Sequence, residues 1–122
     1  MKSLTKSYIV TTVHSAEVVG SGDMPVLSTP ALVSFMENCA MLLARENLQE
    51  EGQTTVGINI STNHLHATPV GDTITVEACL VSCEGRKLVF SITAADSAGT
   101  VAECTHERFI VSRERFLEKI GL

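Results

Sequence analysis

Glu37 is the one charged side chain in the run from Val26 to Ala44, which otherwise reads as apolar residues with a few serines, a threonine, a proline and Asn38. A carboxylate set in such a run must be paired, open onto a cleft or be perturbed in pKa. Carboxylates in clefts serve as general bases or nucleophiles. The plain alternative is a helix carboxylate that pairs with a surface Lys or Arg. Thr29 lies eight residues earlier. Its ordinary role is to cap the helix, and beside free helical N–H groups it is also placed to help hold an oxyanion. His64, in Ser61-Thr62-Asn63-His64-Leu65-His66-Ala67-Thr68-Pro69, has the residue type for acid–base work near neutral pH, although a lone histidine is more often structural.

Other residues frame these three. Gly57 falls inside a strand pattern, where glycine is costly unless a bulge or a close neighbour needs the room. In Thr105-His106-Glu107-Arg108, alternation puts His106 and Arg108 on one face. Arg108 is therefore a candidate for an anionic substrate group, against the plain reading of a solvated face with cross-strand ion pairs. Arg86, with Lys87, is a candidate contact for substrate phosphates. His64 and His66 share a strand face, but spacing places no third ligand and no metal is expected. Gly20-Ser21-Gly22 fits neither the Walker pattern nor the dinucleotide fingerprint. No cofactor is expected.

The elements that must position these residues follow from periodicity. The Val-, Thr- and Ile-rich stretch Tyr8 to Val19 predicts a first strand, and Gly20 to Pro25 a loop. Thr29 as cap and Pro30 at the first helical position start a long helix that should run to about Glu50, with Gly52 as its stop. Strands are expected over Thr54–His66, Thr73–Val81, Leu88–Asp96 and Val101–Val111, with Glu84-Gly85 and Ser97-Ala98-Gly99 as turns and a terminal helix over Ser112–Ile120. Ile74, Val76, Ala78 and Leu80 fall on one face, as do Leu88, Phe90, Ile92 and Ala94. The order is strand, helix, then four strands in meander. The long helix is the only element able to cover the apolar face of such a sheet. The expected fold is α+β: a curved antiparallel sheet of about five strands around one central helix, the hot-dog architecture. Its uncovered edges imply a homodimer, with pairing of dimers into a tetramer left open.

Length and composition narrow the partners. The 122 residues are read as one domain, 1–122. A net charge of −5 and an aromatic content of 4% without Trp argue against nucleic acid. Pro30, Glu37 and Asn38 argue against membrane insertion of the apolar run. The four cysteines form no Cys-x-x-Cys pair, and no signal-peptide pattern opens the chain, so a reduced, cytoplasmic setting is expected.

In this order and spacing the residues resemble the hot-dog thioesterases of the fluoroacetyl-CoA thioesterase type. The matching positions are Thr29 before the helix, Glu37 two turns into it, and His64 at the end of the next strand, followed by Ala67-Thr68-Pro69. Gly57 matches the family's strand glycine, Glu84-Gly85-Arg86 its hairpin, and Thr105 to Arg108 its Thr-His-Glu-Arg strand. The resemblance spans Val26 to Phe116. It implies hydrolysis of a small acyl-CoA, with Glu37 as nucleophile or base and His64 positioning water or protonating the leaving thiolate. Thr29 would bond Glu37 or the reacting oxygen. In the specialised enzyme the segment before the helix is longer and supplies an aromatic lid. Here it is the short Gly20–Val26 loop, without Phe or Tyr, so the acyl group is left open. The rival readings are a non-catalytic acyl-CoA or lipid-binding module, a hot-dog hydratase, and a purely structural dimer.

Overall fold

The computed structural model describes residues 2–122. Strand β1 (Ser3–Ile9) leads through a single 3-10 turn at Thr12–His14 and a short helix α1 (Ala16–Val19) to the long helix α2 (Thr29–Glu46). Strands β2 (Gln53–His64), β3 (Thr73–Glu84), β4 (Lys87–Asp96) and β5 (Gly99–Ser112) follow, then helix α3 (Arg113–Lys119). All five strands join one antiparallel sheet in the order β1-β3-β4-β5-β2. Only β3, β4 and β5 form a meander. The expected four-strand meander is corrected, because β2 pairs with β5 at the far edge and the chain then crosses to lay β3 beside β1.

The first strand also lies earlier than its β-branched residues suggest. The chain turns at Val10, whose N–H and C=O bond to Asp72 and Gly71. Ser15 then caps α1 by accepting from Val18 N–H at 3.3 Å. Serine and threonine side chains compete with strand pairing in this way, and Val13, Val18 and Val19 end up exposed.

Helix α2 lies on the concave face. Its buried residues, Ala31, Leu32, Phe35, Met36, Cys39, Ala40, Leu43 and Ala44, recur at helical spacing and form one stripe. They pack on Ile74, Val76 and Ala78 of β3, Leu88, Phe90, Ile92 and Ala94 of β4, and Ala102 and Cys104 of β5. The expected alternation on β3 and β4 is met, except that Leu80 is only partly buried. The helix stops at Glu46, a turn short of the expected end. Asn47 closes it by donating its side-chain amide to the Leu43 carbonyl at 2.8 Å. A second flank of α2, Val33, Glu37 and Met41 at i, i+4 and i+8, is only half-buried. Among the described residues no helix is long and apolar enough to cross a membrane.

Ser28, not Thr29, caps α2: its Oγ accepts from Ala31 N–H at 3.1 Å. Both residues are of cap-forming type, and Ser28 is the one with extended backbone, at φ −73° and ψ 151°. Replacing Ser28 with Ala is expected to lower stability by about 1 kcal/mol, read as a reduced urea midpoint with an unchanged slope.

Candidate active site

With capping assigned to Ser28, the Thr29 hydroxyl is free. It shares a 2.7 Å hydrogen bond with His64 Nδ1, joining the start of α2 to the end of β2. Burial pushes the His64 pKa down, and a contact with the His66 backbone opposes the shift only in part. His64 Nε2 is buried and has no hydrogen-bond partner among the described residues, and the same holds for Thr62 Oγ1 two residues earlier. Thr29, His64 and His66 line a cavity of about 330 Å³ with Ser21, Ser28 and Ala67.

Two turns along α2, Glu37 faces a second cluster built on the β2–β5 pairing. Gly57 is opposite Arg108, and Ile60 opposite His106. Between them, β2 gains one residue, so that the pair Gly57–Arg108 is followed by Asn59–Glu107. A Cβ placed on Gly57 would meet Glu37 Oε2 at 3.1 Å, His106 Cε1 at 3.3 Å and Arg108 NH1 at 3.4 Å. The glycine is thus required by close approach, and the carboxylate, the imidazole and the guanidinium converge on it. Arg108 is buried. It donates from Nε to Thr55 Oγ1 at 2.9 Å, from NH2 to the Thr55 carbonyl at 3.1 Å and from NH1 to His106 Nε2 at 3.2 Å. His106 Nδ1 bonds the Asn59 carbonyl at 2.7 Å and must be the donor. The ring is therefore neutral, with its Nε2 lone pair pointing at the guanidinium. Burial holds its pKa down, and the Arg108 charge adds to this. Burial likewise lowers the pKa of Arg108, and the charge of Glu37 opposes that shift. The Glu37 carboxylate itself accepts no hydrogen bond from a described residue.

The structure therefore brings the sequence candidates together in two groups, Thr29 with His64 and Glu37 with Gly57 and Arg108. Within one chain the groups are about 12 Å apart along the helix, eight residues at 1.5 Å each. Arg86 belongs to neither. It is exposed at the β3–β4 hairpin and lines a separate cavity of about 770 Å³ with Arg115 and Lys119, while Lys87 is paired with Glu107 at 3.0 Å. Arg108 is engaged by protein partners on its fork. Sequence reasoning put His106 on the right face but gave it no role. The alternation with Arg108 was the available signal. Thr55 was missed, because only the strand register reveals it.

A curved five-stranded antiparallel sheet on one long helix, with a carboxylate on the helix flank and an imidazole at the edge strand, defines a hot-dog thioesterase. Comparison with known proteins narrows this further. The family of fluoroacetyl-CoA-specific thioesterases matches residues 10–114, and the chain belongs to that family. It is 37% identical over 95 residues to the fluoroacetyl-CoA thioesterase of Streptantibioticus cattleyicolor, a match spanning 78% of this chain and 68% of that protein. The structure of the fluoroacetyl-CoA thioesterase FlK superposes with a TM-score of 0.89 at 30% identity, covering 98% of this chain and 92% of the other. A mutant of it in complex with fluoroacetate and CoA gives 0.85 at 30%, covering 94% and 96%. A hot-dog-like protein from Thermanaerovibrio acidaminovorans shares the fold at 0.87 and 24% identity, covering 97% and 87%. The chain is a thioester hydrolase by this relationship, and the reading as a non-catalytic binding module has no support among these relatives.

Two outcomes follow from the geometry. Gly57→Ala displaces the Glu37 carboxylate, so thioester turnover is expected to fall about tenfold or more with little change in thermal melting, since small misplacements of reacting groups are costly. The second concerns acid. His64 and His106 both lie below the ordinary value of 6.5 in the folded chain. The unfolded chain then binds more protons as pH falls through about 6.5, so this contribution to stability is complete above that value and is lost on acidification below it. Urea midpoints should be flat above about pH 7 and fall toward about pH 5, and the fall should be smaller in His106→Gln.

Proposed function

We propose that the chain hydrolyses a small acyl-CoA thioester to a carboxylate and free CoA, at a site assembled from two copies of the chain. The observation that carries this reading is the separation within one chain of Glu37 from the Thr29–His64 pair. Three features support a homodimer built on the free edge of β2. That edge is unpaired and displays Ile58 at 51% exposure, which is an invitation to further pairing. The Val33–Glu37–Met41 flank of α2 is half-covered. A two-fold axis at Ile60–Ser61, with antiparallel β2 strands, sets Gly57 of one copy against His64 of the other.

In this site Glu37 attacks the thioester carbonyl or takes a proton from the attacking water. The Thr29–His64 pair positions that water and the reacting oxygen. Backbone N–H groups near Gly57 and the start of α2 hold the developing oxyanion. Arg108 acts through its charge beside Glu37 and by bracing Thr55 and His106. Arg86, with Arg115 and Lys119 nearby, meets the CoA phosphates. No metal or other cofactor takes part. The short Gly20–Val26 loop lacks aromatics, so the acyl group is set by other walls of the cavity. The protein works in the cytoplasm, and pairing of dimers into tetramers is compatible with the exposed sheet.

A panel of acyl-CoA thioesters of varied size tests the activity. Glu37→Gln should reduce turnover on the best substrate by about a hundredfold or more, with unchanged circular dichroism; retention of the parental rate would sink the mechanism. Mixing Glu37→Gln and His64→Ala chains tests the shared site. If each site draws on two copies, half the dimers are mixed and each mixed dimer keeps one of its two sites, so activity should return to about one quarter of wild type. A site contained in one chain would give no recovery.

A further inference from the structure

His66 occupies the same cavity as Thr29 and His64, two residues along the same strand direction, and nothing above uses it. Its Nε2 lies 3.1 Å from Asp96 Oδ2. The Asp96 side chain is only 1% exposed. It also accepts from Thr68 Oγ1 at 2.7 Å and from Ala98 N–H at 2.8 Å. Burial works against its charge, yet the hydrogen bonds from Thr68, Ala98 and His66 leave its pKa below the usual carboxylate value. An ionised carboxylate only accepts, so His66 Nε2 must donate, and Nδ1 is the nitrogen left to exchange protons. Nδ1 has no hydrogen-bond partner among the described residues, and the side chain is 37% exposed.

The two imidazoles of this cavity are therefore built differently. His64 has one nitrogen bonded to Thr29 and the other buried, so it has no direct route to solvent protons. His66 is oriented by a buried acid and remains open to water. Environments that separate two like groups in this manner assign them different roles.

We propose that His66, held by Asp96, is a further catalytic residue that donates the proton to the departing CoA sulfur. The inference rests on the thioesterase reading above. In the step, the C–S bond of the tetrahedral adduct breaks and its electron pair stays on sulfur. The proton on His66 Nδ1 passes to that sulfur, giving the CoA thiol, and the ring regains a proton from solvent. Glu37 has taken the proton of the attacking water and releases it to solvent, so the reaction yields carboxylate, thiol and one proton. An alkyl thiol such as CoA resembles cysteine, with a pKa of about 8.5, and its thiolate gains from protonation as it leaves. An aryl thiol is a stronger acid and departs without help.

The test compares the CoA thioester and the S-phenyl thioester of one acyl group, using the full-length protein. His66→Gln keeps a donor for Asp96 and removes the transferable proton, and His66→Ala removes both. With the CoA thioester, kcat of His66→Gln is expected to fall about a hundredfold. With the S-phenyl thioester it should fall less than about threefold, well under a general acid's contribution. Thermal melts of both variants identify any loss through misfolding, which would reduce both substrates alike. An equal fall on both thioesters by a folded variant, or no fall on the CoA thioester, overturns the assignment. Failure of the wild-type chain to cleave any acyl-CoA, or full activity in Glu37→Gln, would instead overturn the thioesterase reading and this inference with it.

Discussion

A buried guanidinium governs this structure. Arg108 is withdrawn from water, and a lone buried charge is costly unless its donors are satisfied and a counter-charge is near. Thr55 and His106 meet the first need with three hydrogen bonds. Glu37 meets the second across the room left by Gly57. The same arrangement fixes the neutral state of His106, because its Nε2 must keep a lone pair for Arg108. The balance of the buried cation and the position of the Glu37 carboxylate therefore depend on the same contacts.

The molecule places its two polar clusters at the start and the middle of one helix. At the start of α2 a serine takes over capping, and a threonine is released to hold an imidazole. Further along, a carboxylate lies on a flank that the chain's own core leaves half-covered. Neither group is complete by itself. The edge strand β2 carries residues of both, His64 in one and Gly57 in the other.

Much of this could be read from residue order. Glu37 stood out because its run carries no other charge. Gly57 stood out because glycine weakens a strand without cause. The period-two pattern of Leu88, Phe90, Ile92 and Ala94 predicted their common buried face correctly. The first strand lies earlier than expected because Val10, Val13, Val18 and Val19 suggest extended chain, whereas the turn at Val10 depends on distant Asp72 and Gly71 and the Ser15 cap then favours a short helix. The edge position of β2 was hidden for a similar reason, since adjacent strands in sequence pair by default. Thr55 with Arg108, and His66 with Asp96, are meetings of residues 53 and 30 positions apart, and no local pattern encodes them.

The extra residue in β2 has a consequence of parity. Thr55 and Gly57 face inward before it, and Ile60, Thr62 and His64 face inward after it. An uninterrupted strand sends odd and even positions to opposite sides, so an odd interval of seven between Gly57 and His64 could not bring both to the same side. The bulge absorbs one step and restores the phase. A residue can therefore be lost from this stretch without turning Gly57 and His64 to opposite faces only if another irregularity compensates.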